Sequence, residues 1–94
     1  MQNKHEEEIC SLLCSVRDTN EARSLLYDLL TPNERKAVSE RWQIVKFLLR
    51  GKTQREVRDK LKVSIAKVTR GSSVLQYGSG AFKKFLARME KEGF

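Results

Sequence analysis

The chain is poor in the residues that build catalytic centres, metal sites and membrane anchors. Its 94 residues contain one histidine, one proline and two cysteines. The single histidine, His5, lies close to the N-terminus, so Ser72 and Ser73 have no base partner, and Glu34 and Glu40 read as a capping and a surface residue rather than an acid/base pair. No enzyme is expected. No run of ~18 apolar residues is present to cross a bilayer. The first ten residues, MQNKHEEEIC, lack the basic start and apolar stretch of a secretory signal, which points to the cytoplasm. Cys10 and Cys14 are then expected as reduced thiols. With His5 they have the wrong spacing for zinc and lack a fourth ligand, so no metal site is assigned. Their helical spacing predicts small buried apolar side chains instead. No segment alternates with period two, and no repeat or low-complexity tract appears.

What remains is helical. With 39% hydrophobic and 33% charged residues the chain reads as one domain, 1–94. Residues 4–17 place Ile9, Leu12, Leu13 and Val16 on one stripe. After a break at Asp18-Thr19-Asn20, Ala22, Leu25, Leu26, Leu29 and Leu30 form a second. Thr31-Pro32-Asn33-Glu34 combines an N-cap, a proline at the first helical position and a capping-box glutamate, and it opens a long helix that Gly51 closes at Arg50. Trp42 in that helix reads as core or subunit interface, and Tyr27 before it as core or boundary. A last helix is predicted from Ser79, burying Phe82, Phe85, Leu86 and Met89, with Gly78 and Gly80 at the connection.

Residues 53–75 carry the most information. Thr53 and Glu56 form a capping box ahead of a two-turn helix whose Val57 and Leu61 share a face. After Lys62 and Val63, Ser64 caps a second helix with Ile65, Val68 and Leu75 as its apolar positions. Two short helices around a three-residue turn make a helix-turn-helix, whose second helix enters the major groove of DNA. Lys62 occupies the place where such turns usually carry a glycine able to adopt φ > 0, which predicts some strain. Residues 50–70 hold eight basic residues against Glu56 and Asp59, a net of +6 out of the chain's +7, whereas residues 1–30 come to −3. The bland reading is a solvated basic face; its coincidence with the helix-turn-helix favours a polyanion-binding one.

Leu29-Leu30-Thr31-Pro32-Asn33-Glu34-Arg35, Arg41, Ile44-Val45, Leu48-Leu49-Arg50-Gly51, Gln54-Arg55-Glu56, Ser64-Ile65-Ala66 and Val68-Thr69-Arg70-Gly71-Ser72 together resemble the bacterial tryptophan repressor family. The resemblance runs from about residue 29 to 76 and more loosely into the last helix; Thr69-Arg70-Gly71-Ser72 is its most specific element. It implies an all-α, six-helix subunit that interlocks with a second copy. In that homodimer, residues 1–50 and 79–94 form the dimer core and 53–75 the reading head. The dimer would bind a palindromic operator on double-stranded DNA with half-sites about one helical turn apart. It further implies repression with L-tryptophan as corepressor and no other cofactor. The indole would lie between Arg41 and Arg70, Thr31 would add a carboxylate contact, carbonyls near Asp28 to Leu30 would receive the amino group, and Gly71 would allow close approach.

For DNA the expected contacts are Gln54, Arg55, Arg58, Ser64, Ile65, Ala66, Lys67 and Thr69, with Arg55 and Arg58 gripping phosphate and Ile65 and Ala66 offering apolar surface to a thymine methyl. Val74 stands where the family has a serine that assists with the amino group, and Gln76-Tyr77-Gly78 resembles repressor-like relatives of Gram-positive bacteria. Two other readings therefore stay open: a repressor-like regulator with another ligand or no tryptophan response, and a non-enzymatic helical module whose basic face meets an acidic protein or RNA.

Overall fold

In the computed structural model, which describes residues 3–94, the chain forms six helices and, among those residues, no strand. They are α1 (Lys4–Cys14), α2 (Thr19–Leu29), α3 (Pro32–Leu49), α4 (Gln54–Leu61), α5 (Ile65–Tyr77) and α6 (Ala81–Glu92). The all-α class expected from periodicity is the one observed. The chain divides into two compact units, Met1–Arg35 and Lys36–Phe94.

In the first unit each helix starts on a side-chain cap. Asn3 Oδ1 accepts the Glu6 N–H at 2.8 Å, and Asp18 Oδ1 accepts the Glu21 N–H at 2.8 Å. The second cap corrects the expected boundaries. α1 ends at Cys14, not at residue 17, and Thr19 and Asn20 are already helical. Asp18 and Glu21 explain this: Glu21 Oε1 also accepts the Arg17 N–H at 2.9 Å, so residues 17 and 18 are committed to opening α2. Ser15 closes α1 by donating its hydroxyl to the Leu12 carbonyl at 2.7 Å. No residue of α1 or α2 is buried. Cys10 and Cys14 are exposed thiols, contrary to the burial expected of them, because no residue of α1 is buried in the single chain. Tyr27 is exposed as well, its ring covered on one face by the Arg35 guanidinium at 4.0 Å.

In the second unit α3 ends one residue earlier than expected, at Leu49, with Gly51 at φ +89° in the left-handed conformation. The core is built on it. Ile44, Val57 and Val68, from α3, α4 and α5, form a buried cluster against which Phe47, Leu48, Leu61 and Val63 pack. Each fully buried valine contributes on the order of 1.5–3 kcal/mol. That matters for α4, whose eight residues would be marginal as an isolated helix. The turn between α4 and α5 is closed by the Val63 N–H donating to the Arg58 carbonyl at 3.3 Å. Lys62 sits in that turn at φ 56°, ψ 45°, the left-handed conformation anticipated for its position.

The final helix begins at Ala81 rather than Ser79. Gly80 adopts φ +83°, which ends any helical continuation from the N-terminal side, and the Ser79 hydroxyl accepts the Ala81 N–H at 3.3 Å. Leu86 is buried, Phe82 and Met89 are half-buried, and Phe85 is exposed rather than buried. Trp42 of α3, itself half-buried, meets Phe82 with ring centroids 5.9 Å apart. Arg50 and Glu90 pair at 3.3 Å on the surface, where such a pair contributes little.

Two capping boxes make the fold sensitive to acid. Backbone N–H donation from Thr53, then its hydroxyl, holds the Glu56 carboxyl below its ordinary value of 4.5, and Thr31 does the same for Glu34. A depressed folded pKa means stabilisation that is complete above the ordinary value and lost as pH falls through the folded one. Melting temperature should therefore fall between about pH 5 and about pH 3, and by less in Glu34→Gln/Glu56→Gln, whose uncharged caps do not titrate.

Candidate functional site

α5 carries expected site residues in its first turn and again at its middle. Its start is set by Ser64, whose hydroxyl accepts the Lys67 N–H at 3.2 Å and leaves the first turn facing solvent. Ile65 is 47% exposed, a large apolar side chain that the chain itself does not cover, and Ala66 is exposed beside it. Arg55 on α4 is exposed and makes no ion pair among the described residues. The remaining residues expected to meet DNA are partly engaged. The Thr69 hydroxyl donates to Gln54 Oε1 at 3.3 Å, tying the start of α4 to α5. Arg58 is half-buried and donates from Nε to Asp59 Oδ1 at 2.9 Å. Lys67 extends to Glu40 on α3, with Nζ 2.7 Å from Oε1.

Further along, α5 crosses α3 at close range. Gly71 is buried, and a Cβ placed there would lie 2.7 Å from Ile44 Cγ2. Only hydrogen fits. Beside this contact opens a cavity of about 190 Å³, lined from α3 by Ala37, Glu40, Arg41, Ile44 and Val45, from α5 by Lys67, Arg70, Gly71 and Val74, and from α6 by Phe82. Three of the five residues expected around a ligand, Arg41, Arg70 and Gly71, thus meet in one cavity wall. The other two belong to the first unit. The Thr31 hydroxyl accepts the Glu34 N–H at 3.2 Å, and the Leu30 carbonyl accepts from Arg35 Nη1 at 2.9 Å.

Glu40 and Phe82 depart from their expected places. Glu40 was assigned to the surface, yet its side chain is only 23% exposed and lines the cavity. Phe82 was read as core and forms part of the cavity wall. For Glu40 the signal was present: Ala37, Glu40, Arg41 and Ile44 follow the i, i+3, i+4, i+7 spacing of one helix face. No such signal exists for Phe82, because its position depends on where α6 packs.

A family model described as Trp repressor protein matches residues 4–90. The chain belongs to the Trp repressor family. Among members of that family, it is 42% identical over 78 residues to a Trp operon repressor homolog of Chlamydia trachomatis, covering 81% of this chain and 83% of the relative. It is 35% identical over 91 residues to the homolog of Vibrio campbellii, covering 96% and 91%. Its backbone matches a candidate Trp repressor from Staphylococcus aureus with a TM-score of 0.88 at 26% identity, over 95% of this chain and 89% of that one. A TrpR-like protein from Eubacterium eligens matches with a TM-score of 0.87 at 25% identity, over 95% and 92%.

The α3–α5 crossing gives a direct test. Replacing a helical glycine by alanine gains up to about 1 kcal/mol of helix propensity, whereas forcing a methyl into a packed contact costs about 1–3 kcal/mol. Ile44 is 2% exposed and packed into the cluster with Val57 and Val68, so moving it disturbs the core. Gly71→Ala should therefore lower stability by about 1 kcal/mol in urea unfolding, despite the better helix former.

Proposed function

We propose that the chain is a transcriptional repressor that binds a palindromic DNA operator as a homodimer, with L-tryptophan as corepressor. The observation that carries this reading is the double use of α5. Its first turn presents Ile65 and Ala66 to solvent, and its middle lines the cavity through Arg70 and Gly71. The two are separated by only about 9 Å of helix, so a ligand that seats against Arg70 acts on the body that faces DNA.

In this reading Arg41 and Arg70 offer guanidinium planes to the indole faces, and Arg70 pairs with the ligand carboxylate. Thr31, contributed by the second subunit, adds a further contact to that carboxylate. Carbonyls near Asp28 to Leu30 take the ammonium. The Leu30 oxygen, already bonded to Arg35, has a second lone pair for it. Tryptophan then favours the arrangement of reading heads that matches the operator spacing, through its higher affinity for that arrangement. Gln54, Arg55, Arg58, Ser64, Ile65, Ala66, Lys67 and Thr69 are the proposed contacts to DNA.

Support for the homodimer comes from the first unit. Ile9, Leu12, Leu13, Leu26 and Leu29 are all exposed in the single chain, and helices with uncovered apolar stripes bury them against a partner. No helix of the described residues is long and apolar enough to cross a membrane. Val74 favours a second reading. It lines the cavity with hydrocarbon and offers no hydrogen bond to an amino group, which suits a related regulator with a different ligand or with no tryptophan response.

Calorimetric titration with L-tryptophan, followed by duplex selection and binding at fixed salt with and without it, separates these readings. Heat of binding and tighter operator binding in its presence support the first; operator binding that ignores tryptophan supports the second. Enrichment of no palindrome would defeat both. Arg70→Ala should abolish the tryptophan response while leaving a folded dimer by sedimentation. Arg58→Ala should weaken operator binding and reduce the log–log salt slope by about 0.9, the contribution of one phosphate contact.

A further inference from the structure

We infer that Glu40, held in place by Lys67, makes the cavity selective for a ligand whose aromatic ring carries a hydrogen-bond donor. The inference rests on the reading that an aromatic amino acid occupies this cavity, and it assigns a role to a pair that the corepressor scheme leaves unused.

The cavity has two chemically different ends. Glu40 meets Lys67 and Ile44 meets Gly71, so α3 and α5 run alongside each other with the ion pair near the start of α5. At the other end Val74 and Phe82 are purely apolar. Among the lining side chains, Ala37, Ile44, Val45, Val74 and Phe82 are hydrocarbon, Arg41, Arg70 and Lys67 can only donate, and Glu40 alone accepts. A donor buried with the ligand must find Glu40 or find no side chain at all.

Glu40 is equipped for this. Lys67 Nζ engages Oε1 at 2.7 Å, and Oε2 has no hydrogen-bond partner among the described residues. The carboxylate is therefore oriented by one bond and free at its second oxygen. A tryptophan whose ammonium goes to backbone carbonyls retains one donor, the indole N–H, and Glu40 is the acceptor left for it. A ring without a donor would strip water from the charged pair and return nothing, which penalises it. Lys67 is thereby a positioning residue for the ligand, in addition to its place beside the DNA-facing turn.

The test is calorimetry on the full chain with L-tryptophan and with L-3-(3-benzothienyl)alanine, which has sulfur in place of the ring N–H at nearly the same shape. The wild-type protein should bind tryptophan about tenfold more tightly, the effect of one hydrogen bond to a partly solvated carboxylate. Glu40→Ala/Lys67→Ala removes both charges together and should bring the two ligands to within about twofold, mainly by weakening tryptophan. Glu40→Gln, which keeps the shape and an acceptor oxygen, should show a preference reduced to about threefold and serves if the double variant is unfolded by circular dichroism. A general loss of structure would weaken both ligands alike and leave their ratio unchanged. Equal wild-type affinities, or a wild-type preference that survives in the variants, overturns the inference and leaves the tryptophan reading intact. Failure of the wild type to bind either ligand overturns both.

Discussion

The close approach of α5 to α3 at Gly71 and Ile44 is the constraint on which the second unit depends. With no side chain at position 71, the two helices pack with Ile44 against the α5 backbone. That spacing lets Val68 reach the cluster formed by Ile44 and Val57, and so fixes α4 against α5. The same spacing places Arg41 and Arg70 in the walls of one cavity and brings Lys67 within hydrogen-bond distance of Glu40. A larger residue at 71 would disturb packing, cavity and ion pair together, because all three are read off the same interhelical distance.

Around this contact the helices are short and depend on their ends. α4 has eight residues and one fully buried side chain, too little for a stable helix alone. Its capping box, its shared core with α5 and the hydrogen bond from Thr69 to Gln54 make it part of one body. Lys62 in the left-handed region is the local cost of so tight a turn. The result is a pair of helices packed as one body, as the proposed coupling of ligand to DNA requires.

In the proposed function α5 serves two partners of different chemistry. DNA calls for exposed donors and apolar tips near its start; an aromatic metabolite calls for flat cations and a close backbone at its middle. Lys67 lies between these regions and is shared, with its backbone in the first turn and its ammonium on the cavity's carboxylate. Membership of the Trp repressor family accounts for the layout.

Much of this was legible in the residue order. Six helices, the capping boxes at Thr31 and Thr53 and the cap at Ser64 follow from interactions within a few residues, so sequence by itself determined them; the positive φ at Lys62 follows from the helix-turn-helix layout. Family resemblance added Arg41, Arg70 and Gly71 as neighbours. The errors had local and non-local causes. The Asp18–Glu21 cap that opens α2 at Thr19 is local and legible in the residue order. The exposure of Cys10, Cys14, Tyr27 and Phe85 was not readable, because periodicity marks a face as apolar without saying whether the same chain covers it. Only the tertiary structure decided that Glu40 belongs to the cavity and that Lys67 turns back to meet it. Those two residues stand 27 positions apart, and their contact exists because a glycine lets two helices approach.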